Sequence, residues 1–127
     1  MSSYEEIFQD KVGQSSWDLD TLTDSIDFLR ISFTDQNDKV ITFIFSEFLA
    51  YRSIDEGDAI NIISDISNAG VIGKYFYLAK GSEFEEWFHR ESFDMHRTQG
   101  VNSYLFASLN HVVEIISLDE PVIEISP

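Results

Sequence analysis

Two runs of alternating apolar residues, Ile26 to Thr34 and Lys39 to Phe45, flank the turn cluster Asp35-Gln36-Asn37-Asp38. No other feature constrains the fold of this chain as much. A period of two puts successive side chains on opposite faces of a strand, so each run has one apolar face. In the first run Ile26, Phe28 and Arg30 alternate with Asp27, Leu29, Ile31 and Phe33. In the second, Thr42 is the polar break in Val-Ile-Thr-Phe-Ile-Phe. Two such runs joined by turn formers predict an antiparallel hairpin. Phe48 to Arg52 extends the pattern as a third strand.

Other segments follow from local signals. Ser3-Tyr4-Glu5-Glu6 fits a capping box and predicts a short helix with Tyr4, Ile7 and Phe8 on one face, stopped at Gly13. Residues 14–25 are polar around Trp17 and Leu19 and read as a loop. Residues 59–67 fit a helix by the spacing of Ala59, Ile62, Ile63 and Ile66, and a strand by their isoleucine content. Val71 to Ala79 reads as a strand. Ser82-Glu83-Phe84-Glu85 repeats the capping pattern. Phe84, Trp87 and Phe88 then fall at i, i+3 and i+4, which predicts a helix over residues 82–92 that buries Trp87. Glu86 and Arg90 stand in the favourable i,i+4 order.

After a loop at Gly100, Tyr104–Leu109 and Val112–Leu118 read as strands around the turn Asn110-His111. Pro121 then precedes an edge strand, Val122–Ile125. Together these predict one α+β domain over residues 1–127: a mostly antiparallel sheet with one or two helices packed on a face.

Charge narrows the partners. The 127 residues include 23 Asp and Glu against 8 Lys and Arg, a formal net charge of −15. Disorder is excluded, because 43% of the chain is apolar and 14% aromatic. Such a charge repels nucleic acid and anionic membranes and speeds encounter with a cationic partner. The chain has no cysteine, which excludes disulfides, thiolate zinc sites and a cysteine nucleophile. The opening Met1-Ser2-Ser3-Tyr4-Glu5-Glu6 lacks the basic and apolar segments of a secretory signal, and no apolar run approaches the ~18 residues of a membrane span. The expected location is the cytoplasm.

Motifs of chemistry do not fit. Asp18-Leu19-Asp20-Thr21-Leu22-Thr23 brushes the Asp-x-Asp signature of haloacid-dehalogenase-type phosphatases, but no buried parallel strand precedes it. Asp55-Glu56-Gly57-Asp58 lacks the EF-hand register of oxygens and reads as a solvated turn. His89, His96 and His111 show no metal-ligand spacing, and His89 pairs with Glu85 as surface residues four apart would. There is no Gly-x-Ser-x-Gly elbow and no phosphate-binding glycine loop. No enzyme activity, no metal and no cofactor is expected.

Several stretches resemble small acidic immunity proteins that bacteria encode beside polymorphic or contact-dependent growth-inhibition toxins. They are Val40-Ile41-Thr42-Phe43-Ile44-Phe45, Ala50-Tyr51-Arg52-Ser53-Ile54-Asp55-Glu56-Gly57-Asp58, and Ser82-Glu83-Phe84-Glu85-Glu86-Trp87-Phe88 with Glu91-Ser92. Tyr104-Leu105-Phe106-Ala107-Ser108-Leu109-Asn110, leading into Val113-Glu114-Ile115-Ile116-Ser117, completes the set. Residues 1–25 carry none of these motifs. The resemblance implies an α+β form, a cytoplasmic location and tight binding to one cognate toxin. Toxin-contact positions vary in such families, so it assigns no residue.

The expected function is therefore an immunity protein that neutralises a cationic, nuclease-type toxin domain by blocking its active cleft. Alternatives are an acidic ligand-binding or nucleic-acid-mimicking protein and a small hydrolase. The expected partner-binding residues come from the two acidic segments that read as loops, where side chains are free to meet a partner. They are Trp17, Asp18, Asp20 and Asp24, and Asp55, Glu56 and Asp58.

Overall fold

The computed structural model describes residues 3–13, 15–70 and 75–126. Among these residues nine strands form two antiparallel sheets, with helices packed on them in an α+β arrangement. The four-stranded sheet has the order β2 (Trp17–Asp24), β3 (Leu29–Asp35), β4 (Val40–Phe45), β9 (Val122–Ser126). The five-stranded sheet has the order β1 (Ser3–Glu6), β6 (Phe76–Lys80), β7 (Asn102–Ala107), β8 (His111–Ser117), β5 (Phe48–Asp55). Among the described residues there are also three helices, α1 (Gln9–Val12), α2 (Ile60–Asn68) and α3 (Glu83–Glu91), and short 3-10 turns at Glu56–Asp58 and Arg97–Gln99.

The hairpin legible in the sequence is the β3–β4 pair, with Thr34 opposite Val40 and Leu29 opposite Phe45. Its turn is held by Asp35, whose carboxylate accepts the Asn37 and Lys39 N–H groups at 2.9 and 2.8 Å. Leu29, Ile31 and Phe33 of β3 and Ile41, Phe43 and Phe45 of β4 are fully buried. They face the other sheet. Phe33 and Phe43 meet Phe76 of β6 and Phe106 of β7, and all six pairings of these rings have centroids 4.7–5.9 Å apart. Edge-to-face and tilted ring contacts add to the apolar burial, so this quartet is the centre of the sandwich.

Helices α2 and α3 cover the opposite face of the five-stranded sheet, whereas Val12 of α1 is buried with the sandwich core. Ala59, just ahead of α2, and Ile66 within it pack on Tyr77, Ala79, Leu105 and Val112, while Phe84 and Phe88 of α3 pack on Ile116. Strand β8 is consequently covered on both faces: Val113 and Ile115 point to the sandwich core, Val112 and Ile116 to the helices.

Several sequence expectations are corrected. Ser3–Glu6 is a strand, because its backbone pairs with β6 from Ser3–Lys80 to Glu6–Tyr77; the helix starts later, at Gln9. The stretch read as a loop is strand β2, and Ile26 lies in the following turn at φ 75°, 87% exposed, its N–H held by Asp24 Oδ1. The ambiguous segment is helical. Residues 71–74 of the predicted fourth strand lie outside the described residues. Ser82 caps α3 as expected, accepting the Glu85 N–H, but Trp87 is not buried. It is 43% exposed and stacks on Phe84, rings 5.6 Å apart. Glu86 pairs with Arg97 rather than Arg90. His89 is buried, its Nε2 3.5 Å from Glu85.

Candidate functional site

Of the expected partner-binding residues, Trp17 is overturned. It opens β2, is fully buried in the sandwich core and presents no surface to a partner. The reason is alternation: Trp17 and Leu19 turn inward while Asp18 between them turns out. The buried indole Nε1–H has no hydrogen-bond partner among the described residues.

The carboxylates fare differently. Asp18, Asp20 and Asp24 are exposed, but they ride on a strand rather than a loop. Asp20 stands at a bulge, where the register with β3 skips from Leu19 to Thr21. A bulge re-aims a side chain and strengthens local twist. Asp55, Glu56 and Asp58 are also exposed, at the end of β5 and in the 3-10 turn that follows. Asp55 has a structural task as well, its Oδ2 accepting the Gly57 N–H at 2.9 Å.

The turn between β7 and β8 joins these segments. Asn110 Oδ1 accepts the Leu19 N–H at 2.8 Å, and its Nδ2 donates to the Leu19 carbonyl at 3.2 Å. The Asn110 carbonyl accepts the Glu56 N–H at 3.1 Å. One residue thus holds the Asp18–Asp20 edge on its side chain and the Asp55–Asp58 turn on its backbone. Leu109, next to it, is 53% exposed while its N–H donates to the Trp17 carbonyl at 2.9 Å. An exposed apolar residue therefore stands next to the junction that holds both acidic segments.

Asp24 stands apart, at the far end of β2. Its carboxylate accepts the Ile26 N–H at 2.9 Å and the Tyr51 hydroxyl at 3.2 Å. Burial pushes the Tyr51 hydroxyl above its ordinary pKa, and the Asp24 hydrogen bond and charge add to the rise. Asp24 thus fastens β2 beside β5.

Leu109 was missed because the apolar pattern of β7 runs on to it. The signal was its position beside Asn110, a strong turn former. Among the described residues no group of three or more His, Asp or Glu could hold a metal ion, and no helix is long and apolar enough to cross a membrane. In comparisons with known proteins the chain matches no family model, no curated protein and no solved structure.

Proposed function

We propose that this chain is an immunity-type inhibitor that binds a cognate cationic toxin domain, of nuclease type, and blocks its active cleft. What chiefly supports this reading is the Asn110 junction, which ties together two acidic segments distant in sequence, next to the exposed Leu109. A nuclease cleft must be basic, since phosphate contacts dominate nucleic-acid affinity. Carboxylates offered to such a cleft occupy positions that phosphates would take. The net charge of −15 accelerates the encounter, and the exposed Leu109 slows release. The protein acts by binding, without turnover, in the cytoplasm where its toxin would act.

The test is association with the toxin domain encoded beside this chain, measured at two salt concentrations. The variants are Asp18→Asn with Asp20→Asn, Asp55→Asn with Glu56→Gln, and Leu109→Ala. Each charge pair should slow association and flatten its salt dependence. Leu109→Ala should raise the dissociation rate about thirtyfold, as loss of a ~2 kcal/mol anchor does. Tight binding that ignores all three variants would move the contact to another face. Failure to bind any basic partner would remove the immunity reading itself.

A further inference from the structure

The helix-covered face of the five-stranded sheet holds a carboxylate among apolar neighbours. Glu114 lies on β8 between Val112 and Ile116 on that face, and its side chain is only 4% exposed. Arg52 is its register partner on β5. Arg52 Nε and Nη2 approach the same oxygen, Oε1, at 2.7 and 2.5 Å. Oε2 accepts no hydrogen bond among the described residues. The guanidinium of Arg52 also lies 4.9 Å from the centre of the Phe84 ring, so its face is occupied too.

A cavity of about 380 Å³ opens above this pair, between α2 and the start of α3. Among the described residues, its charged lining is Glu114, Asp65 and Glu83 against Arg52, three carboxylates to one guanidinium. Asn61 adds a carboxamide, and Tyr4 donates its hydroxyl to Asp65. The side chains of Asn61 and Glu83 make no hydrogen bond among the described residues. The space is thus rich in acceptors and short of donors. A buried carboxylate with a free oxygen gains most from a second cation that also donates hydrogen bonds. The volume falls within the ~300–1,000 Å³ of ordinary small-ligand sites, larger than a bare ion requires.

We infer that this interhelical cavity binds an alkylammonium or guanidinium group, its N–H donors directed at Glu114 and Glu83. The inference does not depend on the toxin reading, since none of the residues lining the cavity belongs to the proposed toxin-facing set. Burial holds the Glu114 carboxyl above its ordinary pKa; Arg52 opposes this and the Glu83 charge adds to it. A bound cation would draw that carboxyl back down.

The test titrates agmatine, which carries both groups, into the protein while backbone amide resonances are followed. Tetramethylammonium, equal in charge per head group but without N–H donors, is the control. Agmatine should shift the amides of Asn61, Ser82 and Glu83, with affinity reduced at least tenfold in Glu83→Gln and in Glu114→Gln. Glu83→Gln changes an exposed side chain, so it remains informative if Glu114→Gln folds poorly. Equal shifts with tetramethylammonium, or agmatine binding unchanged in Glu83→Gln, would overturn the inference. A blocked Gly-Arg-Gly peptide separates the two sources of this chemistry. Binding at the same amides points to a partner's arginine, and exclusion of the peptide while agmatine binds points to a free small cation.

Discussion

Asn110 clasps the backbone of Leu19 with both ends of its carboxamide, accepting the N–H at 2.8 Å and donating to the carbonyl at 3.2 Å. Leu19 lies on edge strand β2 and Asn110 in the turn between β7 and β8, so a single side chain joins the edge of the four-stranded sheet to a turn of the five-stranded one. Asn110→Ala should leave both Leu19 backbone groups to water and cost about 1–2 kcal/mol. Hydrogen exchange should speed up at Leu19 and Asp20 before it does at Ile31 or Phe43. Because the same junction holds both acidic segments, the proposed inhibitor function predicts that affinity for its partner falls although no charge is lost.

The two tryptophans should behave in opposite ways. Trp17 is fully buried, and Trp17→Ala should cost about 3–5 kcal/mol in urea unfolding. Trp87 is 43% exposed with one ring partner, and Trp87→Ala should cost about 1 kcal/mol. In single-tryptophan variants, a soluble quencher should reach Trp87 readily and Trp17 hardly at all.

Removing Arg52 should expose the cost of burying Glu114. Breaking a buried pair from one side costs about 3–5 kcal/mol; Arg52→Ala should fall at or below the low end, since its side chain is 40% exposed. The pH dependence has a definite sign. The Glu114 carboxyl titrates above its ordinary value in the folded state. Its favourable contribution is therefore complete below its unfolded pKa and lost as pH rises through the folded one. The Arg52→Ala defect should be largest near neutrality and shrink on acidification. Replacing the pair with Arg52→Met and Glu114→Leu should recover most of the loss.

Asp35 and Asp119 titrate the other way. Burial disfavours their ionised forms, but hydrogen bonds outweigh it and hold both carboxyls below the ordinary aspartate value. Asp35 accepts from Lys39, Ser15 and Asn37; Asp119 accepts from Ser117, Ser46 and Glu47. A carboxyl with a depressed folded pKa contributes stability above its unfolded value and loses it as pH falls. Stability should therefore decline below about pH 4. Asp35→Asn and Asp119→Asn should each flatten that decline in acid titrations followed by circular dichroism.

The elements legible in the sequence were those whose signals are local and agree with one another. In the β3–β4 hairpin, alternation and turn residues point the same way, and Asp35 closes the turn within four residues. The Ser82 cap of α3 is equally local. At Ser3–Glu6 the capping pattern is present, yet hydrogen bonds to β6, far along the chain, outcompete it. β2 was obscured because it is an edge strand with a polar outer face and a bulge at Asp20, which breaks the period of two. Trp87 shows a related ambiguity. Spacings of three and four place Phe84, Trp87 and Phe88 on adjoining parts of one face, and only the position of the sheet selects Phe84 and Phe88 for burial.

The candidate site divides in the same manner. Exposed carboxylates at Asp18, Asp20, Asp55, Glu56 and Asp58 were readable, because charge without a partner avoids the interior. Their joining through Asn110, and the burial of Trp17, were not. By itself the sequence determined the α+β class, the β3–β4 hairpin, the cap of α3 and the excess negative charge, since each depends on residues close together or on simple counting. Tertiary structure alone decided that the strands divide into two sheets, that Asn110 joins the β7–β8 turn of one sheet to the edge strand β2 of the other and that Glu114 lies under two helices, because those outcomes depend on contacts between residues far apart in the chain.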